Sequence, residues 1–320
     1  MGVVMHLVLA PLALLFDRLL GYPDALVQRL SHPVILMGKL LSALETRLNR
    51  GENRRMKGVV TLVVLALASM LVAGLITLVC RLLPFGLLLE ALVASSLLAQ
   101  KALGDAVRRV AGALRTSLPA GREAVSHIVG RDPDTLDAPG VARAAIESLA
   151  ESTSDGVIAP LFWLLIGGLP GLALYKAVNT ADSMIGHKTE RYLAFGWAAA
   201  RFDDLLNIIP ARLTALLTAA AALLTRGADA EQAWSCALRD ARKHDSPNAG
   251  WPEAAFAGAL GFRLGGPRHY GSETIDLPTF GTGRAELGPD DIDRALRLYT
   301  QVLNVTFALV LVGVLIATRW

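Results

Sequence analysis

The chain has 320 residues, of which 53% are hydrophobic and 18% are charged, and its formal net charge is +3. Soluble domains carry about 25% charged residues, so this composition excludes a soluble two-domain enzyme and indicates an integral membrane protein with polar loops. The small positive charge, without interleaved basic and aromatic residues, argues against nucleic acid and fits contact with the lipid bilayer and an anionic substrate.

Apolar runs along the chain predict an all-α, polytopic membrane protein with about four to six membrane-embedded helical segments and helical loops in the cytoplasm. We interpret residues 1–320 as a single membrane-embedded domain. Its clearest membrane segments are 58–80, 82–99, 156–178, 205–225 and 302–318, and its polar loops are 100–155, 179–204 and 226–301. The basic residues between Lys39 and Lys57 favour a cytoplasmic position for that stretch.

The apolar run 156–178 is interrupted at its centre by Gly167-Gly168-Leu169-Pro170-Gly171, which is a strong helix breaker. Each half has about ten residues, too few to cross a bilayer that needs about 20. If the polar residues on both sides of the run share one site, they must also share one membrane face. We therefore predict a re-entrant hairpin that turns at 167–171, with its non-helical backbone covered by protein.

Three carboxylates precede this run, because Glu147, Glu151 and Asp155 are spaced four residues apart. A helix that continues to Asp155 would place all three on one face. They would repel one another unless a divalent cation or basic partners neutralised them. A solvated helix face has the same spacing, so a metal site and an ordinary surface both remain open.

A polar segment follows the run directly and contains Asn179, Asp182, Ser183 and Lys188. Asp182 suits a magnesium ligand, and Lys188 suits a phosphate group. Helix capping would explain one or two of these side chains, but not the whole set.

Two adjacent acids, Asp203 and Asp204, lie near the start of the next apolar run. Asp203 and Asn207 are one helical turn apart, so both can face one cation. Acids are also favoured at the N-terminus of any interfacial helix. Because carboxylates at the entrance of a span are costly, we favour the metal-binding interpretation.

A further polar segment, 243–248, has no helical period and is followed by Gly250 and Pro252. A loop that holds lysine, histidine, serine and asparagine suits an anionic ligand. His244 alone could equally be an ordinary loop histidine. The sequence has no Walker A motif, so any ATP site would be of a non-standard kind.

Taken in order, these motifs resemble the CbiB/CobD family of cobalamin biosynthesis, the membrane adenosylcobinamide-phosphate synthases. One departure is Ser152, where the family pattern has asparagine. The matching segments extend from the first helix to about Gly271 and are 17–23, 32–34, 147–156, 159–162, 175–180, 182–186, 195–197, 203–204, 210–212 and 246–253.

The resemblance implies a carbon–nitrogen ligase of the cell inner membrane that uses ATP and Mg²⁺. Its substrates would be adenosylcobyric acid and (R)-1-amino-2-propanol or the O-phosphate of that amine, and its product would be adenosylcobinamide or its phosphate. The chain could also form a homo-oligomer or associate with other enzymes of the corrinoid pathway. A membrane prenyl- or phosphotransferase and a transporter remain alternative functions.

Residue roles follow as expectations for this reaction. Lysine and arginine would balance phosphate charge, and Glu151 or His244 would accept the amine proton. The expected catalytic residues are Glu151, Lys188 and His244; the expected substrate- and nucleotide-binding residues are Asn179, Ser183, Arg212, Lys243, Ser246 and Asn248; the expected metal ligands are Glu147, Asp155, Asp182, Asp203 and Asp204.

Overall fold

The computed structural model describes residues 2–21, 32–130, 133–266, 268–270, 273–275 and 278–319. This part of the chain is mainly helical, which confirms the prediction of an all-α protein. The helices are α1 (Gly2–Leu20), α2 (Pro33–Leu48), α3 (Arg54–Arg81), α4 (Gly86–Ser95), α5 (Gln100–Thr116), α6 (Leu118–Ser126), α7 (Ala138–Thr153), α8 (Ala159–Ile185), α9 (Trp197–Ala222), α10 (Ala230–Asp240), α11 (Gly250–Leu260) and α12 (Pro289–Ala317). Four short strands, β1 (Leu264–Gly265), β2 (Arg268–Tyr270), β3 (Glu273–Ile275) and β4 (Thr279–Phe280), form the antiparallel pairs β1–β4 and β2–β3.

Five helical stretches within the described residues are long and apolar enough to cross a membrane. They overlap the five predicted apolar runs, which confirms the prediction of a polytopic membrane protein. Their bounds are Arg54–Arg81, Gly86–Thr116, Ala138–Ile185, Trp197–Ala222 and Pro289–Ala317. The third stretch contains a π-helical turn, Ser154–Ile158, between α7 and α8.

The chain divides into two compact units. Unit 1 comprises Met1–Ala99, Ala159–Asn207 and Val310–Trp320, and unit 2 comprises Gln100–Ile158 and Ile208–Leu309. A buried core in unit 1 includes Leu41, Leu65, Tyr175 and Phe195. The main core of unit 2 includes Val107, Ile146, Phe256, Phe262 and Tyr299. Where such cores lie within the membrane, van der Waals packing rather than removal from water stabilises them, because lipid tails are as apolar as these side chains.

Within unit 1, α3 and α4 form a helical hairpin that accommodates a buried acid. Glu90 is only 5% exposed, and its Oε1 accepts a hydrogen bond from the Thr77 hydroxyl at 2.6 Å. Because a buried polar group without a partner is costly, this bond explains how an apolar helix contains a glutamate.

Helix α8 is sharply interrupted at Gly168, whose φ of 61° and ψ of −155° are non-helical. A Cβ atom on Gly171 would lie 2.6 Å from the Trp163 carbonyl oxygen, although eight residues separate the two. In a continuous helix that separation would be about 12 Å. Ala159 also shares a buried cluster with Tyr175. The chain therefore doubles back at Gly168, as predicted for a hairpin that turns within 167–171.

Substituting Gly168 with alanine should destabilise this hairpin by about 1–3 kcal/mol, because only glycine adopts that backbone conformation without strain. The new Cβ would also lie 2.6 Å from the His6 imidazole Nε2. Thermal unfolding of the purified protein in detergent should show a lower Tm. Gly167→Ala is the matched control, since a Cβ at that position meets no atom within 4 Å; equal Tm values for the two variants would contradict the strained turn.

The helices flanking the candidate site extend further than the sequence suggested. We assigned 179–204 to a polar loop, but α8 continues to Ile185 and α9 begins at Trp197. The connection comprises only 186–196, and its first residue donates its backbone N–H to the Asp182 carbonyl at 2.7 Å. Polar side chains occur within both helices because the two helices bond to each other through them, as described below.

Candidate functional site

An acid–amide cluster joins α8 to α9 in unit 1. Asp203 is 9% exposed and accepts hydrogen bonds from two amides, Asn207 Nδ2 at 2.9 Å and Asn179 Nδ2 at 3.4 Å. The Tyr175 hydroxyl donates to Asn207 Oδ1 at 3.0 Å and orients that amide. Three side chains therefore position one carboxylate, and the predicted residues Asn179 and Asp203 are in direct contact.

Negative charge accumulates around this cluster. Asp182 interacts electrostatically with both Asp203 and Asp204. Asp204 is partly balanced by Arg201, whose Nη1 lies 3.5 Å from its carboxylate, and by Lys188. Within the described part of the chain, neither Asp182 nor Asp203 forms a salt bridge with a basic side chain. Buried carboxylates that lack a cation are costly, so the cluster would be stabilised by a bound cation.

The donors of the cluster fit magnesium if the substrate supplies further oxygens. Among the described residues, no group of three or more His, Cys, Asp or Glu side chains is arranged to hold a metal ion alone. Magnesium, however, is commonly held by one or two carboxylates together with phosphate oxygens and water. Asp182 and Asp203 could form such a site with a bound nucleotide.

A cavity of about 620 Å³ lies between α2 and α8 in unit 1 and adjoins the cluster through Asn179. It contains the predicted binding residues Asn179 and Ser183. It also contains Lys39 and Lys176, which the sequence analysis did not assign to the site. For Lys176 the sequence signal was its position three residues before Asn179, on the same helix face.

The end of α2 holds the connection between α8 and α9. Glu45 is buried, and its two carboxylate oxygens accept hydrogen bonds from Arg191 Nε at 3.1 Å and Nη2 at 3.0 Å. The Arg54 guanidinium also donates to the Arg191 carbonyl oxygen. The bonds from Arg191 hold the pKa of Glu45 below its usual value. Lys188 lies in the same connection, three residues before Arg191.

In unit 2, the three predicted carboxylates of 147–155 have different surroundings. Glu147 is buried, and its Oε1 accepts a hydrogen bond from the Gly265 backbone N–H at 2.7 Å. Glu151 is exposed on α7, and Asp155 lies in the π-helical turn. Glu147 therefore helps to anchor β1, while Glu151 lies on the exposed side of α7.

Asp240, which the sequence analysis did not assign to the site, organises the end of α10. Its carboxylate is 1% exposed and accepts hydrogen bonds from Arg239 Nη2 and Lys243 Nζ at 2.7 Å each, from the Gly281 backbone N–H at 2.9 Å and from Cys236 Sγ at 3.3 Å. Burial raises the pKa of Asp240, but the hydrogen bonds outweigh this effect and hold it well below its usual range. Burial and this carboxylate raise the pKa of Cys236 to about 11.

The loop that follows is ordered by its own polar side chains. Ser246 Oγ accepts the backbone N–H groups of Asn248 and Ala249 at 3.2 and 3.3 Å. Asn248 Oδ1 accepts a hydrogen bond from Arg212 Nη1 at 2.8 Å, and the Arg212 guanidinium lies over the Trp251 ring at 4.8 Å from its centre. The predicted residues Arg212, Ser246 and Asn248 are thus brought together, with bonds that also stabilise the loop.

His244 is oriented in a way that affects its predicted role as a base. Its Nδ1 accepts the Ser246 backbone N–H at 2.8 Å, so in the neutral ring the proton is on Nε2. That nitrogen lies 3.7 Å from Glu253 Oε1, and the ring stacks on Phe280. The Nδ1 lone pair is therefore already used, and this hydrogen bond would have to break before His244 could accept a proton there.

These features define a class: a polytopic helical membrane protein in which acidic, amide and basic side chains lie within or beside apolar helices. The family model described as CobD/Cbib protein matches residues 10–299. The chain therefore belongs to the CobD/Cbib family, which confirms the resemblance seen in its motifs.

Curated relatives agree with this assignment over nearly the whole chain. The cobalamin biosynthesis protein CobD of Sinorhizobium fredii is 52% identical over 306 residues, covering 93% of this chain and 94% of the relative. The proteins of the same name from Brucella suis and Rhodobacter capsulatus are 51% and 49% identical, covering 97% and 93% of this chain and 97% and 95% of the relatives. No solved structure matches the chain. Membership of this family supports a role in cobalamin biosynthesis.

Proposed function

We propose that this protein is an ATP- and magnesium-dependent ligase that joins adenosylcobyric acid to (R)-1-amino-2-propanol or its O-phosphate. The product is adenosylcobinamide or its phosphate, and the new bond is an amide. A carboxylate is a poor acyl donor until it is phosphorylated, which is the chemistry that magnesium-bound ATP supplies. The observation that carries this proposal, beside the family, is Asp203: a buried carboxylate that accepts two amide hydrogen bonds and has an acidic neighbour rather than a basic one.

The surroundings of each residue suggest its role in the reaction. Asp182 and Asp203 would hold the magnesium ion of the nucleotide, and Asn179 and Asn207 fix the Asp203 carboxylate by hydrogen bonds. Lys188 follows the end of α8 and interacts electrostatically with Asp204, and it would balance phosphate charge there. Fixed charges of this kind stabilise the negative charge that develops during acyl phosphorylation.

Proton transfer from the attacking amine is assigned to Glu151. An ammonium ion is not nucleophilic, so the amine must lose a proton before or during attack. Glu151 is exposed on α7, whereas the Nδ1 of His244 already accepts a backbone hydrogen bond. Lys243 and Arg212 contribute positive charge in unit 2 for the anionic groups of the substrates.

We also infer an inner-membrane location with the catalytic residues on the cytoplasmic side, where ATP is available. The basic stretch from Lys39 to Lys57 contributes six positively charged residues against two acids. Such an excess favours the cytoplasmic face.

The reaction is tested with the purified protein in detergent, supplied with ATP, magnesium, adenosylcobyric acid and either amine. Mass spectrometry should detect the amide product only when all four components are present, and chelation of magnesium should abolish it. A protein that elutes as a single folded species yet forms no product with either amine would contradict the proposal.

A further inference from the structure

The cavity between α2 and α8 is built from one face of each helix. Its lining from α2 is Val34, Ile35, Gly38, Lys39 and Ser42, and its lining from α8 is Lys176, Asn179, Thr180, Ser183 and Met184. The spacings of three and four residues on both helices are those of single helix faces. Gly38 permits close approach of the helices, since a Cβ there would lie 3.3 Å from Met184 Sδ. The volume of about 620 Å³ is within the range of small-molecule sites.

The side chains that line the cavity carry positive charge and favour an anionic ligand. Lys39 is exposed and Lys176 is half-buried, and among the described residues that line the cavity none is acidic. The Thr180 and Ser183 hydroxyls donate to the carbonyl oxygens of Lys176 and Asn179 at 2.6 and 2.9 Å. These hydroxyl hydrogens are used within α8, so the positive charge of the lining comes from the two lysine ammonium groups. Two lysines match the charge of a phosphate monoester, which is about −1.5 to −2 at neutral pH.

The remaining lining distinguishes between classes of phosphate ligand. None of the described lining residues is aromatic, so the cavity offers no ring on which a nucleobase could stack. Val34, Ile35 and Met184 instead provide aliphatic contacts for a short carbon chain. These properties favour a small aliphatic phosphate monoester over a nucleotide.

We propose that this cavity binds the phosphate group of the phosphorylated amine, and that Lys39 and Lys176 make the enzyme prefer that amine to the unphosphorylated one. This inference rests on the proposed function. The position is chemically suitable, because Asn179 lines the cavity and also bonds to Asp203 of the acid–amide cluster. An amine held there would be close to the carboxylates that hold the nucleotide.

The test compares steady-state kinetics with the two amines in nanodiscs of phosphatidylcholine, a lipid without net charge. Lys176→Met should raise KM for the phosphorylated amine about 10–100-fold, the effect of losing one charged hydrogen bond. It should change KM for the free amine less than about 3-fold. Lys39→Met should act in the same direction and more weakly, because Lys39 is exposed, and Lys176→Arg should recover much of the loss. Lys101→Met, which removes an exposed lysine of α5, is the matched control and should behave like the wild type.

A direct binding measurement tests the phosphate site independently of whether the protein catalyses the proposed reaction. Calorimetric titration with the phosphorylated amine alone, without ATP or corrinoid, should show binding to the wild type that Lys176→Met weakens. An equal loss of activity with both amines, or no change in KM, would overturn the assignment even if the wild type is active. A wild type that makes no amide but still binds the phosphorylated amine through Lys176 would contradict only the reaction. If phosphatidylglycerol co-purifies with the wild type, is lost in Lys176→Met and is not displaced by the amine, the cavity binds a lipid headgroup and the inference fails.

Discussion

Replacing Asp203 with asparagine is expected to lower the rate of amide formation by at least about 100-fold, while leaving the protein as stable as the wild type or more so. The substitution keeps the shape of the side chain but removes the charge that would hold magnesium. Loss even of groups that only orient metal ligands typically costs 10–100-fold, so loss of a ligand should cost at least as much. Stability should not fall, because removing a buried carboxylate that has no basic partner also removes its desolvation cost.

Two measurements together check this prediction. Product formation gives the activity, and thermal unfolding with and without magnesium and ATP gives the stability. The wild type should show a rise in Tm with magnesium and ATP, since a ligand that binds only the folded state stabilises it. Asp203→Asn should lose most of that rise. Asp105→Asn, which removes a carboxylate that is 42% exposed and paired with Arg108, should change neither quantity. A stable Asp203→Asn protein with normal activity would remove this residue from the site.

The sequence predicts the architecture well where an apolar run contains helix-breaking residues. The helix-breaking sequence at 167–171 indicated the hairpin, and Gly168 does adopt the conformation that reverses the chain. The ends of helices were less predictable. Asn179 and Asp182 resemble loop residues in the sequence because polar side chains are rare within apolar helices, but both lie within α8, where Asn179 donates a hydrogen bond to Asp203 of α9. Such pairing depends on residues about 24 positions apart, as with Asn179 and Asp203, and no local pattern encodes it.

The sequence predicts which types of polar residue form the candidate site, but it does not predict which side chains they contact. The sequence predicts that Lys243 binds an anionic ligand, and the structure adds that its ammonium group is also paired with Asp240 at 2.7 Å. The polar segment 243–248 points to Lys243 and His244. Asp240 gives no such signal, because an acid beside Arg239 at a helix end is typical of a solvated surface. Only the fold reveals that Gly281 closes over this carboxylate and buries it. Lys176 was similarly overlooked, since its position on the cavity depends on the approach of α2.

Replacing Asp240 with asparagine is expected to lower the free energy of unfolding by about 2–4 kcal/mol. Removal of one partner of a buried ion pair typically costs about 3–5 kcal/mol, and the effect should be smaller here because Arg239 and Lys243 are each 48% exposed. Asparagine can still accept the Gly281 backbone hydrogen bond, so the variant should fold. Thermal and denaturant unfolding in detergent measure the change. Asp245→Asn, an exposed acid a few residues further along, is the matched control and should change stability by less than about 0.5 kcal/mol.

The pH dependence of the Asp240 effect has a definite sign. Because the folded protein holds the pKa of this carboxyl below its unfolded value, the ionised group stabilises the fold at every pH above the unfolded pKa of about 3.9. That contribution is lost as pH falls below this value towards the folded pKa. The difference in stability between wild type and Asp240→Asn should therefore stay constant from about pH 8 to pH 5 and shrink below about pH 4. A difference that shrinks instead as pH rises from 5 to 8 would show that the carboxylate does not stabilise the fold through Arg239 and Lys243.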